Sequence, residues 1–273
     1  METLQSIKEQ TIINFEVLIC DDNSTDDTIK ICESWRTQNP NIETRILISC
    51  QNNGITRNIN TGYRLAKGLW LKPIAGDDTL KINCIEKFTA IHDNNHDVYF
   101  AECSTFSGTE RLDKVLRWPA HIASADVSKI KKALLKSNFL PAPGSFIKRE
   151  SLKSVGYADE EYKMLDDWPL WIKFAKNQLK FGFINEPLVN YRVSSFSASS
   201  TVTDFIPKLL RADLRKLYIK ERICIFRPAL SLMTALELIC WEINTIFFRS
   251  KKSTWKYFRK IFSVISLGQY NTI

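Results

Sequence analysis

Three times in this chain an apolar run meets two adjacent aspartates. Residues 15–20 stop at Asp21-Asp22, residues 68–75 stop at Gly76-Asp77-Asp78, and Asp166-Asp167 open the run at 168–174. Adjacent carboxylates repel each other. Each pair has two ordinary outcomes: a turn or helix N-cap that spends the oxygens on backbone N–H groups, or a site that brings a cation to them. A buried strand that ends at such a pair limits the possible folds. In open α/β sheets the carboxyl ends of the strands form the rim where ligands bind, and parallel strands put their ends on one rim. The first two pairs are therefore expected to be neighbours in space.

The rest of the chain supports such a sheet. Residues 16–20 and 45–49 read as strands, with a helix to about residue 37 between them, its Ile29, Cys32 and Trp35 facing inward. Ser24 and Asp27 have the spacing of a capping box ahead of that helix. Asn52-Asn53-Gly54 is a turn signal, and residues 56–66 read as a helix stopped by Gly68. A helix at 82–92 and a strand at 97–103 follow. Strands alternating with helices predict βαβ units, so the fold class is α/β, a mostly parallel sheet flanked by helices. After residue 105 the pattern loosens into a helix at 127–136, an ordered loop at 156–162, a helix with Asp167 at or near its N-cap, and short strands at 180–183 and 188–193. Met1 leads into a polar helix with Leu4 and Ile7 as its few apolar anchors.

Charge divides the chain. Residues 205–273 hold 13 Lys and Arg against 4 Asp and Glu, while the first 204 residues sum to −1. This predicts an α/β domain at 1–204 and a helical, basic extension at 205–273 that meets an anionic surface. Nucleic acid is set aside, because no stacking or groove-reading motif accompanies the charge. Residues 228–248 form a long apolar-rich helix, but Glu237 and Glu242 would each cost about 2–3 kcal/mol inside a bilayer. The helix is expected to lie in the membrane interface, flanked by Arg249, Lys251, Lys252, Lys256, Arg259 and Lys260. Seven scattered cysteines without C-x-x-C spacing argue for a reducing compartment and against a zinc site. His92 and His96, beside Asp93 and Asp97, read as a solvated helix end.

Residues 17–28 with Asp-Asp-x-Ser, Asn53-Gly54-x-x-Arg57-Asn58, Ala66-x-Gly68, Gly76-Asp77-Asp78 and Asp166-Asp167-Trp168 stand in the order and spacing of family-2 glycosyltransferases. The resemblance runs from residue 2 to about residue 200 and includes Glu186-Pro187-Leu188-x-x-Tyr191-Arg192. Any one motif is weak; five in register are specific. The resemblance implies the GT-A fold and transfer of a sugar from a nucleotide diphosphosugar with inversion. Residue by residue, it implies that Asp22 hydrogen-bonds the nucleotide base, Arg57 contacts the nucleotide and Asp77 lies near the ribose. Asp78 is implied as the ligand of Mg2+ or Mn2+, and Asp167 as the general base, with Asp166 where the family often has Glu. The implied partners are a UDP-sugar donor and a polysaccharide or lipid-linked glycan acceptor, in O-antigen or capsule-type synthesis at the cytoplasmic face of the membrane. These residue types suit the chemistry: a metal neutralises a leaving diphosphate, and a carboxylate accepts the proton of an attacking hydroxyl.

Members of that family open with a strand before the helix that here holds Leu4 and Ile7, and this chain starts after it. That strand lies mid-sheet, and a domain has only ~5–15 kcal/mol of net stability. The chain starting at Met1 is therefore expected to fold poorly and to be weakly active at best. Two other readings stay open: a non-catalytic, membrane-associated remnant, and a nucleotidyltransferase. The latter is disfavoured by the lack of a glycine-rich, lysine-containing triphosphate loop.

Overall fold

The computed structural model describes residues 1–91, 95–193, 207–223 and 228–247. The flanking basic residues at 249–260, His92, and the serine-rich stretch after Arg192 fall outside the described residues. The chain divides into two compact units, Met1–Val193 and Ser194–Ile273.

The first unit begins with α1 (Glu2–Lys8), β1 (Glu16–Asp21), α2 (Thr28–Gln38), β2 (Glu43–Ile48), α3 (Ile55–Leu65), β3 (Trp70–Leu71), β4 (Thr79–Leu80) and α4 (Cys84–Ile91). It continues through β5 (Val98–Ser107), β6 (Glu110–Leu116), α5 (Val127–Leu134), β7 (Ser145–Lys148), α6 (Arg149–Ser154), α7 (Asp167–Lys176) and β8 (Phe181–Arg192). β1 and β2 form a parallel pair, and a six-stranded sheet has the order β3-β7-β5-β8-β4 with β6 added on β5. The α/β class with flanking helices holds. Within the larger sheet β5 and β8 run parallel, while β3–β7, β7–β5, β5–β6 and β8–β4 are antiparallel. Strand directions are therefore more mixed than the expected mostly parallel ladder.

Two local features explain where the sequence reading stopped short. Gly108 takes φ 57° and turns β5 into β6, so the region after residue 105 starts as a hairpin; a two-residue turn needs no helical crossover. The strands expected at 180–183 and 188–193 are one bent strand, β8, because the ladder slips where Glu102 faces Pro187. A proline has no N–H for the ladder and marks such an irregularity.

Alternation along β5 builds two cores. Tyr99, Ala101 and Cys103 pack with Phe88, Phe146, Leu188 and Val17 on one side. Phe100 meets Trp171 edge-on at 4.9 Å and Phe181 at 6.3 Å on the other. The second packing fixes α7, and Trp168 Nε1 donates to the Leu134 carbonyl at 2.7 Å, tying α7 to α5. Near the crossing of β5, a Cβ on Gly144 would lie 2.1 Å from the Ala101 carbonyl oxygen, so no side chain fits there.

The polar helix α1 and Gln10 just after it dock through polar side chains. Thr3 Oγ1 donates to the Gly76 carbonyl at 2.8 Å, and the Leu80 N–H donates to Ser6 Oγ at 3.1 Å. Gln10 Nε2 donates to the Lys81 carbonyl at 2.8 Å, and Gln10 Oε1 accepts from the Ile85 N–H at 3.0 Å. These bonds hold the segment that carries Asp77 and Asp78. Reading only Leu4 and Ile7 as anchors missed them.

In the second unit, α8 (Lys208–Arg222) packs on α9 (Pro228–Phe247). Glu237 accepts from Arg222 at 2.7 Å and Glu242 from Arg215 at 2.9 Å, so both glutamates of the long helix are paired. Among the described residues no helix is long and apolar enough to cross a membrane.

Candidate active site

The Asp21-Asp22 pair closes the turn after β1. Asp21 is buried and accepts from the Ser24 N–H at 2.8 Å and from Ser24 Oγ. Ser24 therefore does not form the expected capping box; the N-cap of α2 is Asp27, which makes no side-chain cap bond. Asp22 spends both oxygens on the entry to α3, accepting from the Asn53 N–H at 2.8 Å and the Gly54 N–H at 2.7 Å. Gly54 has φ 89°, a conformation that few other residues adopt. Asn58 Nδ2 anchors the same helix to the Cys20 carbonyl at 2.9 Å. Arg57 is exposed, 3.3 Å from both Asn53 Oδ1 and Glu160 Oε2.

α3 also carries the contacts that reach the third aspartate pair. Asn60 is fully buried and makes two hydrogen bonds to the main chain of one residue: Nδ2 donates to the Ala158 carbonyl at 2.9 Å, and Oδ1 accepts from the Ala158 N–H at 3.1 Å. Arg64 donates to Glu160 at 2.7 Å, and its guanidinium lies 5.3 Å over the Tyr157 ring. These bonds clamp the loop that leads into Asp166. The negative field of Asp166 and Asp167, second to burial, pushes the Tyr63 phenol up. Asn60, Arg64 and Glu160 were not singled out in the sequence; no spacing signal marks them.

Asp166 and Asp167 stand half-buried at the start of α7. Asp167 is the first helical residue; Oδ1 accepts from the Trp168 N–H at 2.6 Å and Oδ2 from Asn138 Nδ2 at 2.7 Å. Burial, then the neighbouring charge of Asp167, pushes the Asp166 carboxyl up to about 7. Burial also raises Asp167, against the pull of its hydrogen bonds to Trp168 and Asn138. The pair holds a proton near neutrality, which is the range a general base needs.

The Asp77-Asp78 pair lies between β3 and β4. Asp77 is exposed, and no hydrogen bond to its carboxylate is described. Asp78 is fully buried; Oδ1 accepts from the Arg192 N–H at 2.8 Å, and Oδ2 has no partner. Burial pushes this carboxyl up to about 6, with the Arg192 N–H pulling the other way. Lys72 lies behind it, donating to the Pro73 carbonyl at 2.8 Å and the Pro143 carbonyl at 2.5 Å, and desolvation lowers its proton affinity. Arg192 closes the front through Nε, which donates to the Asp77 carbonyl at 2.8 Å.

The structure thus links Asp22, Arg57, Asp166 and Asp167 through α3 and its loop, and holds Asp77 and Asp78 separately between α1 and β8. No described hydrogen bond joins the two groups. Among the described residues no cluster of three or more His, Cys, Asp or Glu is arranged to hold a metal. Lys72 and Arg192, beside the Asp77-Asp78 pair, were also passed over in the sequence, although Arg192 stood inside a quoted motif.

Residues 1–156 match Glycosyl transferase family 2. The chain is similar to the minor teichoic acid biosynthesis protein GgaB of Bacillus subtilis (strain 168), 27% identical over 220 residues, which is 74% of this chain and 22% of that relative's length. Among solved structures it is similar to S. aureus TarS 1-349 in complex with UDP, with a TM-score of 0.57 at 16% identity over 99% of this chain and 88% of that one. A mannosyltransferase from Pyrobaculum calidifontis in complex with GDP-Man and Mn2+ gives 0.53 at 15% identity, over 99% and 83%. At these identities the structural likeness is one of fold, the GT-A arrangement. The family match covers more than half of the chain and contains the Asp22, Arg57 and Asp77-Asp78 motifs, so the chain belongs to glycosyl transferase family 2.

Proposed function

We propose that this chain transfers a sugar, favouring a UDP-sugar donor, to a hydroxyl of a polysaccharide or lipid-linked glycan with inversion, in surface polysaccharide synthesis. The observation that carries this reading is the Asp77-Asp78 pair, with one buried carboxylate oxygen lacking a partner and an exposed carboxylate beside it. Hard oxygen donors of this kind fit Mg2+ or Mn2+, which binds through one or two carboxylates and completes its shell with phosphate oxygens and water. Asp78, with Asp77 beside it, would hold the ion. Bound there, it supplies neutralisation of the charge that develops on the leaving diphosphate. The complexes of the two solved neighbours, with UDP and with GDP-Man and Mn2+, support a nucleotide-sugar donor and this kind of ion.

The protein's own groups divide the remaining work. Asp22 fixes the Asn53-Gly54 turn and keeps lone pairs free to accept from the base. Arg57, loosely held at 3.3 Å, turns to the nucleotide, and Asp77 faces the ribose. Asp167 accepts the proton of the attacking hydroxyl; burial keeps its proton affinity raised, and Asp166 stands beside it. Calorimetric titration with UDP and with GDP, in Mn2+ and again in chelator, tests the reading. One nucleotide should give heat that disappears in chelator. If neither nucleotide binds, the reading fails.

The same reading places the second unit on an anionic lipid surface at the cytoplasmic face, where lipid-linked acceptors lie. The basic excess of 205–273 supports it. So does the spacing of Leu232, Leu236, Ile239 and Ile243, all exposed on α9 and falling on one helical face. Sedimentation with vesicles is expected to show binding to anionic vesicles that falls with salt and is absent from zwitterionic ones. Equal binding to both, or to neither, removes this part.

A further inference from the structure

We infer that Arg192 is a ligand of the donor's diphosphate, and that Glu2 occupies its guanidinium until the donor binds. This deepens the reading above and rests on it. Both the main chain and the side chain of Arg192 address the aspartate pair: the N–H grips Asp78 and Nε grips the Asp77 carbonyl, each at 2.8 Å. The guanidinium lies 4.3 Å over the Phe106 ring, which fixes its plane. With Nε committed and the plane set, the Nη edge is what remains to meet an anion. Among the described residues Nη1 makes a single long contact of 3.4 Å, to the Gly108 carbonyl, and Nη2 donates to the Glu2 carboxylate.

Glu2 is a weak holder. It sits on the first turn of α1 with its side chain 67% exposed, and its described hydrogen bonding is to Arg192 alone. Exposed ion pairs of this kind contribute little and are screened by salt. Charge balance points the same way. The Glu2 carboxylate meets the guanidinium, the Asp78 carboxylate lies in the field of that guanidinium and of the Lys72 ammonium, and the exposed Asp77 is next to Asp78 in the chain. Three carboxylates then face two cations. A divalent cation on the aspartates reverses that deficit, and a diphosphate brings more charge and more acceptor oxygens to the arginine fork than Glu2 does. The carboxylate is the group that gives way.

The inference predicts opposite signs for two substitutions. With Mn2+ present, Glu2→Gln should tighten binding of the cognate nucleoside diphosphate (UDP or GDP) about two- to fivefold, the span expected from losing a competing exposed ion pair. Arg192→Lys, which keeps the main-chain bond to Asp78, should weaken it about tenfold or more. The matching nucleoside, which has no phosphate, should bind both variants within about twofold of wild type. In the Glu2→Gln/Arg192→Lys double variant the gain from Glu2→Gln should vanish. Wild type that binds the nucleotide, with Glu2→Gln unchanged or weaker, overturns the inference and leaves the proposed function standing. So does an Arg192→Lys loss shared equally by the nucleoside. Wild type that binds neither nucleotide overturns the proposed function and this inference with it.

Discussion

Asp167→Asn is expected to slow sugar transfer by about 10²–10⁴-fold, the usual worth of a positioned general base, with nucleotide affinity in Mn2+ kept within about twofold. The asparagine keeps one oxygen for the Asn138 amide or the Trp168 N–H, which now hold the carboxylate at 2.7 and 2.6 Å. The fold around α7 should therefore survive, since Trp171 and Phe174 anchor it in the core. Single-turnover release of the nucleoside diphosphate from labelled donor measures the loss, and a normal rate would show the base assignment to be wrong. The pH profile carries a second signature. Wild-type transfer should rise with pH through about 7 as the Asp166-Asp167 pair gives up its shared proton. Asp166→Asn removes the carboxyl that is raised to about 7, so the rising limb should move to lower pH.

The same substitution changes stability with a definite sign. The Asp166 carboxyl is raised to about 7 in the folded chain, against about 3.9 in an unfolded one. The folded protein therefore keeps a proton over that window which the unfolded chain has released. Its stability is full below about pH 4 and declines as pH rises through about 7. Asp166→Asn lacks this decline and should gain on wild type by about 1–3 kcal/mol at pH 8, after allowance for solvent screening. The two should converge near pH 4.

The sequence made the ends of elements legible and left their partners hidden. Asp22, Asp78 and Asp167 could be found because each follows or opens an apolar run, and periodicity with turn residues marks such runs. What each carboxylate bonds was set by residues far along the chain: Asp22 by Asn53, Asp167 by Asn138, and Asp78 by Arg192, 114 positions away. No local pattern encodes those distances. The α1 segment shows the same limit, since its docking rests on Thr3 and Ser6 of the helix and Gln10 just after it, which look like solvent-facing residues until the Gly76–Ile85 segment is laid against them. The β5–β6 hairpin followed from a glycine turn at Gly108 and the single bent β8 from a slip at Pro187, two single-residue signals inside a stretch that lacked clear periodicity.

Asp78→Asn is expected to move binding and stability in opposite directions, a combination that damage to the fold would not give. The buried carboxyl is raised to about 6 by desolvation, above its unfolded value of about 3.9. Wild type thus holds a proton between those values that the unfolded chain has lost, and its stability falls as pH climbs through about 6. An amide cannot ionise, and its oxygen keeps the Arg192 N–H that now meets Oδ1 at 2.8 Å. The variant's melting temperature should therefore gain on wild type between pH 4 and pH 8. Binding should go the other way. Loss of a metal-ligating oxygen should lower Mn2+-dependent nucleotide affinity by at least about 100-fold, beyond what loss of a supporting hydrogen bond costs. The thermal stabilisation that Mn2+ with nucleotide gives wild type should then disappear. If Asp78→Asn keeps its Mn2+-dependent heat, the buried carboxylate is a structural acid held by Arg192, and the ligand must be sought at the exposed Asp77, where Asp77→Asn would carry the loss.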